Sequence, residues 1–240
     1  MDFPIRINKY LANEGMCSRK EADRLIARGA VLINGKRAEL GQKVEKGDEV
    51  SLKREAKKGF EKERAYLLFF KPKGIVTVNA QGSDKEIRDI VSLEKGVVPI
   101  GRLDKLSTGL VLLSNDGRIT KKLLSPEFNH AKEYKVKVNK ILRPGFLMHL
   151  EEGVTLEDGY KTKPAKVKKL GPKAFSISIT EGKHHQIRRM CAIFGYEVED
   201  LSRTAILGFR ATDMKSGELK KLTKPEVAEL LKALGISNAK

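Results

Sequence analysis

Asp104 stands in the segment Gly101-Arg102-Leu103-Asp104-Lys105-Leu106-Ser107-Thr108-Gly109-Leu110, between two cations and inside a glycine-bracketed turn. Neighbouring positive charge stabilises a carboxylate in its anionic form. An ionised aspartate on a loop at the mouth of a strand is equipped to act as nucleophile or base. The bland alternative is a turn aspartate paired with Lys105 at the surface, an interaction that contributes little. Two other segments carry residue types that suit the same chemistry. Lys132-Glu133-Tyr134 sets a phenol at the start of a strand-like run. Glu181-Gly182-Lys183-His184-His185-Gln186-Ile187-Arg188-Arg189-Met190 is a glycine turn feeding a helix with paired arginines. Taken singly, each has an ordinary structural explanation: a strand aromatic, polar loop histidines, surface helix cations.

The elements that must position these residues can be read from the surrounding pattern. Residues 66–70 form an apolar run that ends at Lys71-Pro72-Lys73-Gly74, where proline and glycine force a turn. Strand character recurs at 75–78, 97–100, 110–113, 134–138 and 175–179. Helices are predicted from 116–117 through 124, over about 186–194, and after Thr223. In the last, Thr223 and Glu226 make a capping box, and Val227, Leu230, Leu231 and Leu234 supply burial at helical spacing. Strands without a regular alternation of helices predict an α+β domain, a mixed and mainly antiparallel sheet with flanking helices.

A smaller module precedes it. Ser18 and Glu21 read as a capping box, Ala22, Leu25 and Ile26 as an apolar stripe, and Gly29 as a C-cap. A strand at Val31 and Ile33 runs into Asn34-Gly35, a strong hairpin signal, with a further strand at 50–52. Arg6, Lys9, Arg19, Lys20 and Arg24 are expected to project from two helices, as a solvated face or as cations tracking a phosphate backbone. The run KREAKKGFEKER at 53–64 has no core periodicity and reads as an exposed linker.

Composition narrows the function. The 240 residues carry 48 Lys+Arg against 31 Asp+Glu, a net charge of +17 spread along the whole chain. A polyanion, nucleic acid first, is the natural partner. No apolar run approaches a membrane span, and the N-terminus lacks a signal-peptide core. Cys17 and Cys191 have no CxxC spacing, and His130, His149, His184 and His185 form no HExxH. Neither GxxxxGK[ST] nor GxGxxG occurs, so nucleotide hydrolysis and dinucleotide redox chemistry lack support. A reduced, cytoplasmic setting is expected, and the absence of heptads predicts a monomer.

Two resemblances join these features. Arg6-Ile7-Asn8-Lys9-Tyr10-Leu11, Cys17-Ser18-Arg19-Lys20-Glu21-Ala22-Asp23 and Val31-Leu32-Ile33-Asn34-Gly35 together resemble the S4 domain, a small RNA-binding module built from an αα-hairpin and short strands. The KPKG turn, the GRLD segment, Lys132-Glu133-Tyr134, the HQIRRM run and Leu201-Ser202-Arg203-Thr204 occur in one order. That series resembles the pseudouridine synthases, in the branch acting on ribosomal RNA, and SRKEADRLI and HHQIRRMCAIFGYEV look closer to the large-subunit enzymes. The resemblance implies an S4 RNA-binding domain at 1–52, the linker at 53–64 and a catalytic domain at 65–240. It implies that a uridine is flipped from its stack, its glycosidic bond broken, and its base rejoined through C5.

Asp104 would then attack the nucleoside or stabilise cationic character at the ribose; a sugar adduct and a glycal are both compatible with these residue types. Tyr134 would stack on the base and assist proton removal, and Arg188 would pair with Asp104. Leu201 and Ile206 would form an apolar floor, with Arg102, Lys71, His185 and Arg189 contacting the substrate. No cofactor or metal is needed, because no electrons or groups leave the substrate. Three positions depart from the family pattern: Phe70 in place of Asn, His185 in place of Arg, and Lys220 in place of Arg. The rival readings are a non-catalytic S4-type RNA-binding or ribosome-assembly protein, and a synthase acting on transfer RNA.

Overall fold

The computed structural model describes residues 3–17, 19–53, 64–124 and 128–236. The small N-terminal unit contains β1 (Ile5–Arg6), α1 (Ile7–Asn13), α2 (Arg19–Ala27), β2 (Val31–Ile33), β3 (Lys36–Arg37), β4 (Lys43–Val44) and β5 (Val50–Leu52). β1 pairs with β4, and β2 lies between β3 and β5. Ile7, Leu11, Ala22, Ile26, Val31 and Val44 close its own core. Asn34 and Gly35 both adopt positive φ, 51° and 76°, as a tight hairpin between β2 and β3 demands. The Ser18 end of the expected capping box, and the linker apart from Lys53 and Arg64, lie outside the described residues.

The larger unit follows with β6 (Tyr66–Lys71), α3 (Ile87–Ile90), β7 (Val98–Ile100), β8 (Thr108–Ser114), α4 (Gly117–Leu124), β9 (Lys132–Val138) and α5 (Phe146–Glu152). It continues with β10 (Lys166–Gly171), β11 (Ala174–Ile179), α6 (Gln186–Ile193), β12 (Val198–Ile206), β13 (Phe209–Arg210), β14 (Leu219–Lys221) and α7 (Lys224–Ala233). The sheet runs β10-β11-β9-β12-β8-β6-β14, with β7 beside β8 and β13 beside β12. Only β12 and β8 are parallel; the other pairs are antiparallel, as expected of a mixed α+β domain. Successive side chains of a strand face opposite ways, so β6 and β8 feed two cores at once. Leu67, Phe69, Val111 and Leu113 enter the core shared with Val136, Phe175 and Met190 of α6. Tyr66, Leu68, Leu110 and Leu112 enter the one shared with Ile119 of α4 and Leu230 of α7. Burial on both faces is why these strands read as continuous apolar runs.

Two strand expectations change. Residues 75–78 form no strand beyond a single bridge from Val76 to Glu86. The chain leaves the sheet at Pro72, and the Lys71 ammonium takes up the Ile75 carbonyl at 2.6 Å. Conversely, the sequence pattern announces no strand at β12, yet it is the strand joining the β9 and β8 halves of the sheet. Glu199 and Asp200, and register shifts at 198/200 and 203/205, interrupt its alternation.

The capping box of α7 forms as expected. The Thr223 hydroxyl accepts from the Glu226 amide, and the Glu226 carboxylate accepts from the Thr223 amide at 2.8 Å. The Lys220 ammonium, 2.8 Å away, is the first reason the Glu226 carboxyl is held down at about 2. Thr223→Ala should therefore cost about 1 kcal/mol. It should lower the urea midpoint with an unchanged m-value.

Candidate active site

Residues 103–107 form a loop whose backbone is fixed from three sides. The Thr77 hydroxyl donates to the Leu103 carbonyl at 2.7 Å and accepts from the Leu103 amide at 3.0 Å. The Gly74 amide donates to the Lys105 carbonyl, and the Ser107 amide to that of Asp104. From α6, the Arg188 guanidinium reaches the Leu106 carbonyl at 3.4 Å. A loop braced this way presents the Asp104 carboxylate at a defined position.

The register of the sheet explains what lies beneath. Lys71 of β6 is opposite Gly109 of β8, Gly109 is opposite Arg203 of β12, and Arg203 is opposite Tyr134 of β9. Gly109 separates two buried cations. Lys71 is fully buried and donates to the carbonyls of Pro72, Ile75 and Lys105. Burial pushes its ammonium down to about 8, with the negative charge of Asp104 opposing that shift and Arg203 adding to it. Arg203 donates Nε to the Leu110 carbonyl at 2.7 Å and keeps one buried nitrogen without a partner.

Above this row opens a cleft of about 620 Å3 lined by Arg102, Asp104, Tyr134, His184, His185 and Leu201, among others. That volume suits a small-molecule-sized guest. Tyr134, only 8% exposed, belongs to the wall. His185 precedes α6 with φ of 51°, its Nε2 lies 3.6 Å from Asp104 Oδ1, and its ring stacks on His184 at 3.9 Å between centroids. Lys105 is bonded to Asp84 at 2.6 Å, so the plain turn pair between Asp104 and Lys105 is not what forms.

Four expected site residues sit elsewhere than the resemblance implied. Arg188 does not pair with Asp104; its guanidinium holds the carbonyls of Val198 and Leu106 and so braces the loop instead. Arg189 does not line the cleft, because Glu157 and Asp158 hold its fork at 2.5 and 2.6 Å. Lys71 is sealed beneath the loop and cannot touch a substrate directly. Ile206 lies past the 203/205 register shift and packs in the opposite core with Tyr66 and Leu230, leaving Leu201 alone of the pair in the cleft.

Sequence reasoning gave no role to Arg203 or Glu181. The Glu181 carboxylate is buried and accepts from the Tyr160 hydroxyl, the Lys163 amide and the Gln186 amide group, fixing the turn before α6. A charged residue directly before the glycine turn was the available signal. In the small unit Arg6, Lys9, Arg19, Lys20 and Arg24 are all exposed, with Arg6 in β1 and not on a helix. Lys9 and Arg19 also border a groove shared with Gly96, Val98 and Thr120 of the larger unit.

An aspartate and a tyrosine in one cleft, on a mixed sheet joined to a basic helical module, fit an enzyme that acts on nucleic acid. The RNA pseudouridylate synthase model matches residues 65–193 and the S4 domain model residues 5–50. The chain belongs to the RNA pseudouridylate synthase family. The dual-specificity RNA pseudouridine synthase RluF of Escherichia coli K12 is 41% identical, over 99% of this chain and 82% of its own length. Ribosomal large subunit pseudouridine synthase B of Bacillus subtilis is 35% identical, over 94% of this chain and 95% of its own. A solved pseudouridylate synthase superposes with a TM-score of 0.70 at 28% identity, covering 94% of this chain and 99% of that one. No helix among the described residues is long and apolar enough to cross a membrane.

Proposed function

We propose that this enzyme converts specific uridines of large-subunit ribosomal RNA to pseudouridine. The observation carrying the reading is the cleft that brings Asp104 and Tyr134 together on a braced loop and strand. The Bacillus relative, a large-subunit enzyme by name, matches nearly end to end, which supports the substrate class. Residues 1–52 grip the RNA, 53–64 link, and 65–240 carry the reaction. The protein acts as a cytoplasmic monomer.

The target uridine leaves its stack and enters the cleft. Asp104 acts at the ribose as the C1′–N1 bond breaks. The base turns within the cleft against Tyr134 and Leu201, and C1′ joins C5. The proton displaced from C5 leaves to solvent with the help of Tyr134, and N1 regains one. Atoms and electrons balance within the substrate, so no cofactor takes part. Arg188 serves by fixing the Leu106 carbonyl, and Arg102 and His185, which line the cleft, contact the RNA. In the small unit the exposed Arg6, Lys9, Arg19, Lys20 and Arg24 neutralise backbone phosphates.

Tritium release from ribosomal RNA labelled at uridine C5 tests the reading. Release from large-subunit RNA is expected, and silence on large-subunit RNA, both free and as a ribosomal particle, would overturn the substrate class. Replacing Arg19 and Arg24 with Gln should weaken RNA binding and reduce the salt slope by about 0.9 per lost phosphate contact in duplex regions. An unchanged slope would remove these two residues from the interface.

A further inference from the structure

Beside the Asp104 carboxylate, His184 and His185 place two imidazoles to which the bond changes proposed above give no part. One ligand atom from each of the three side chains lies within 4.8 Å of the others. Ligands at about 2.0–2.2 Å from a tetrahedral ion lie about 3.4 Å from one another. The His185 Nε2 to Asp104 Oδ1 separation is 3.6 Å, already close to that edge. His184 is exposed, while the side chains of His185 and Asp104 are 45% and 34% exposed, so an ion can enter and the two stacked rings can turn apart to converge on it. Among the described residues neither ring makes a hydrogen bond that coordination would have to break.

The cations lining the cleft oppose an incoming ion, but two of them are engaged elsewhere. Lys105 is bonded to Asp84, and Lys183 lies over the Tyr160 ring at 4.2 Å. Two imidazoles with one carboxylate select a borderline ion of the Zn2+ kind, because Mg2+ prefers an all-oxygen shell.

We infer that Asp104, His184 and His185 form a three-ligand site for Zn2+ or a chemically similar divalent transition-metal ion, and that its occupancy blocks the cleft. Coordination takes up the Asp104 oxygen and sets the ion where the ribose must enter. The metal site stands on the spacing of the three ligand atoms and on their exposure; the inhibitory consequence rests on the function proposed above.

The test uses the full-length, metal-stripped protein without RNA. Titration with Co2+ should develop the visible absorption of a four-coordinate nitrogen and oxygen site at one ion per chain, and Zn2+ should displace it while Mg2+ does not. His184→Ala and Asp104→Asn should each weaken binding by at least about tenfold, since loss of even outer-shell support at metal sites costs that much. His149→Ala, away from the cleft, should bind as wild type does. Absence of a saturable site, displacement by Mg2+, or affinity unmoved by His184→Ala in a variant with native circular dichroism would overturn the site. Tritium release is then measured with Zn2+ and after chelation. Zn2+ should suppress wild-type release reversibly and suppress His184→Ala release only at higher concentration. Release unaffected by bound Zn2+ would overturn the blockade alone, and a chain inactive in chelator with intact Zn2+ binding would count against the proposed reaction alone.

Discussion

Asp104→Asn is expected to eliminate tritium release from C5-labelled ribosomal RNA while leaving RNA affinity nearly unchanged. The amide keeps the size of the carboxylate and loses its charge and nucleophilicity. Removing a catalytic group that acts on the reacting atoms costs several powers of ten, so a loss on the order of 10^4-fold or more in turnover is expected. Affinity should persist because the loop does not depend on the carboxylate. Thr77, Gly74, Lys71 and Arg188 hold its backbone, and the Asp104 side chain faces His185 without carrying any of those bonds. Binding is measured by filter retention with the same RNA. Turnover by the variant would take the catalytic role from Asp104. A parallel collapse of affinity would instead mean that the carboxylate organises the RNA-binding surface.

The contrast between Asp104 and Arg188 shows what the sequence makes legible. Asp104 is announced by its own neighbours, because glycines, flanking cations and a following apolar run specify a loop entering β8. Tyr134 is equally local, standing near the start of β9 with Val136 and Val138 alternating behind it. Arg188 is legible as a helix residue, but the carbonyls it meets belong to residues 106 and 198, brought in by the tertiary fold. Spacing along the chain places a long side chain on an element and leaves its partner open. The same holds for Lys71, which the resemblance sets against the substrate and which is fully buried under the loop. Ile206 differs for another reason: it packs in the core opposite that of Leu201, the side to which plain alternation sends a residue five places further along a strand.

That sheet row gives the second large effect, at Gly109. Its φ is +109°, a region L-residues rarely occupy, and a Cβ there would lie 2.6 Å from the Arg203 amide nitrogen and closer still to its carbonyl oxygen. Both obstacles are backbone atoms of β12, so no side-chain rotation relieves them. Relief would require parting β8 from β12, which meet in parallel at only Thr108–Ser202 and Gly109–Arg203. Gly109→Ala should therefore cost at least about 4 kcal/mol, a large share of a domain's stability. Gly208→Ala separates strain from collision. Gly208 also has positive φ, +84°, but nothing lies within 4 Å of its would-be Cβ, so only about 1–2 kcal/mol of backbone strain is expected. Urea denaturation of the two variants measures the difference. Equal midpoints would mean that β12 yields freely at Arg203. In that case the row from Lys71 to Tyr134 could not be the rigid base on which the Asp104 loop stands.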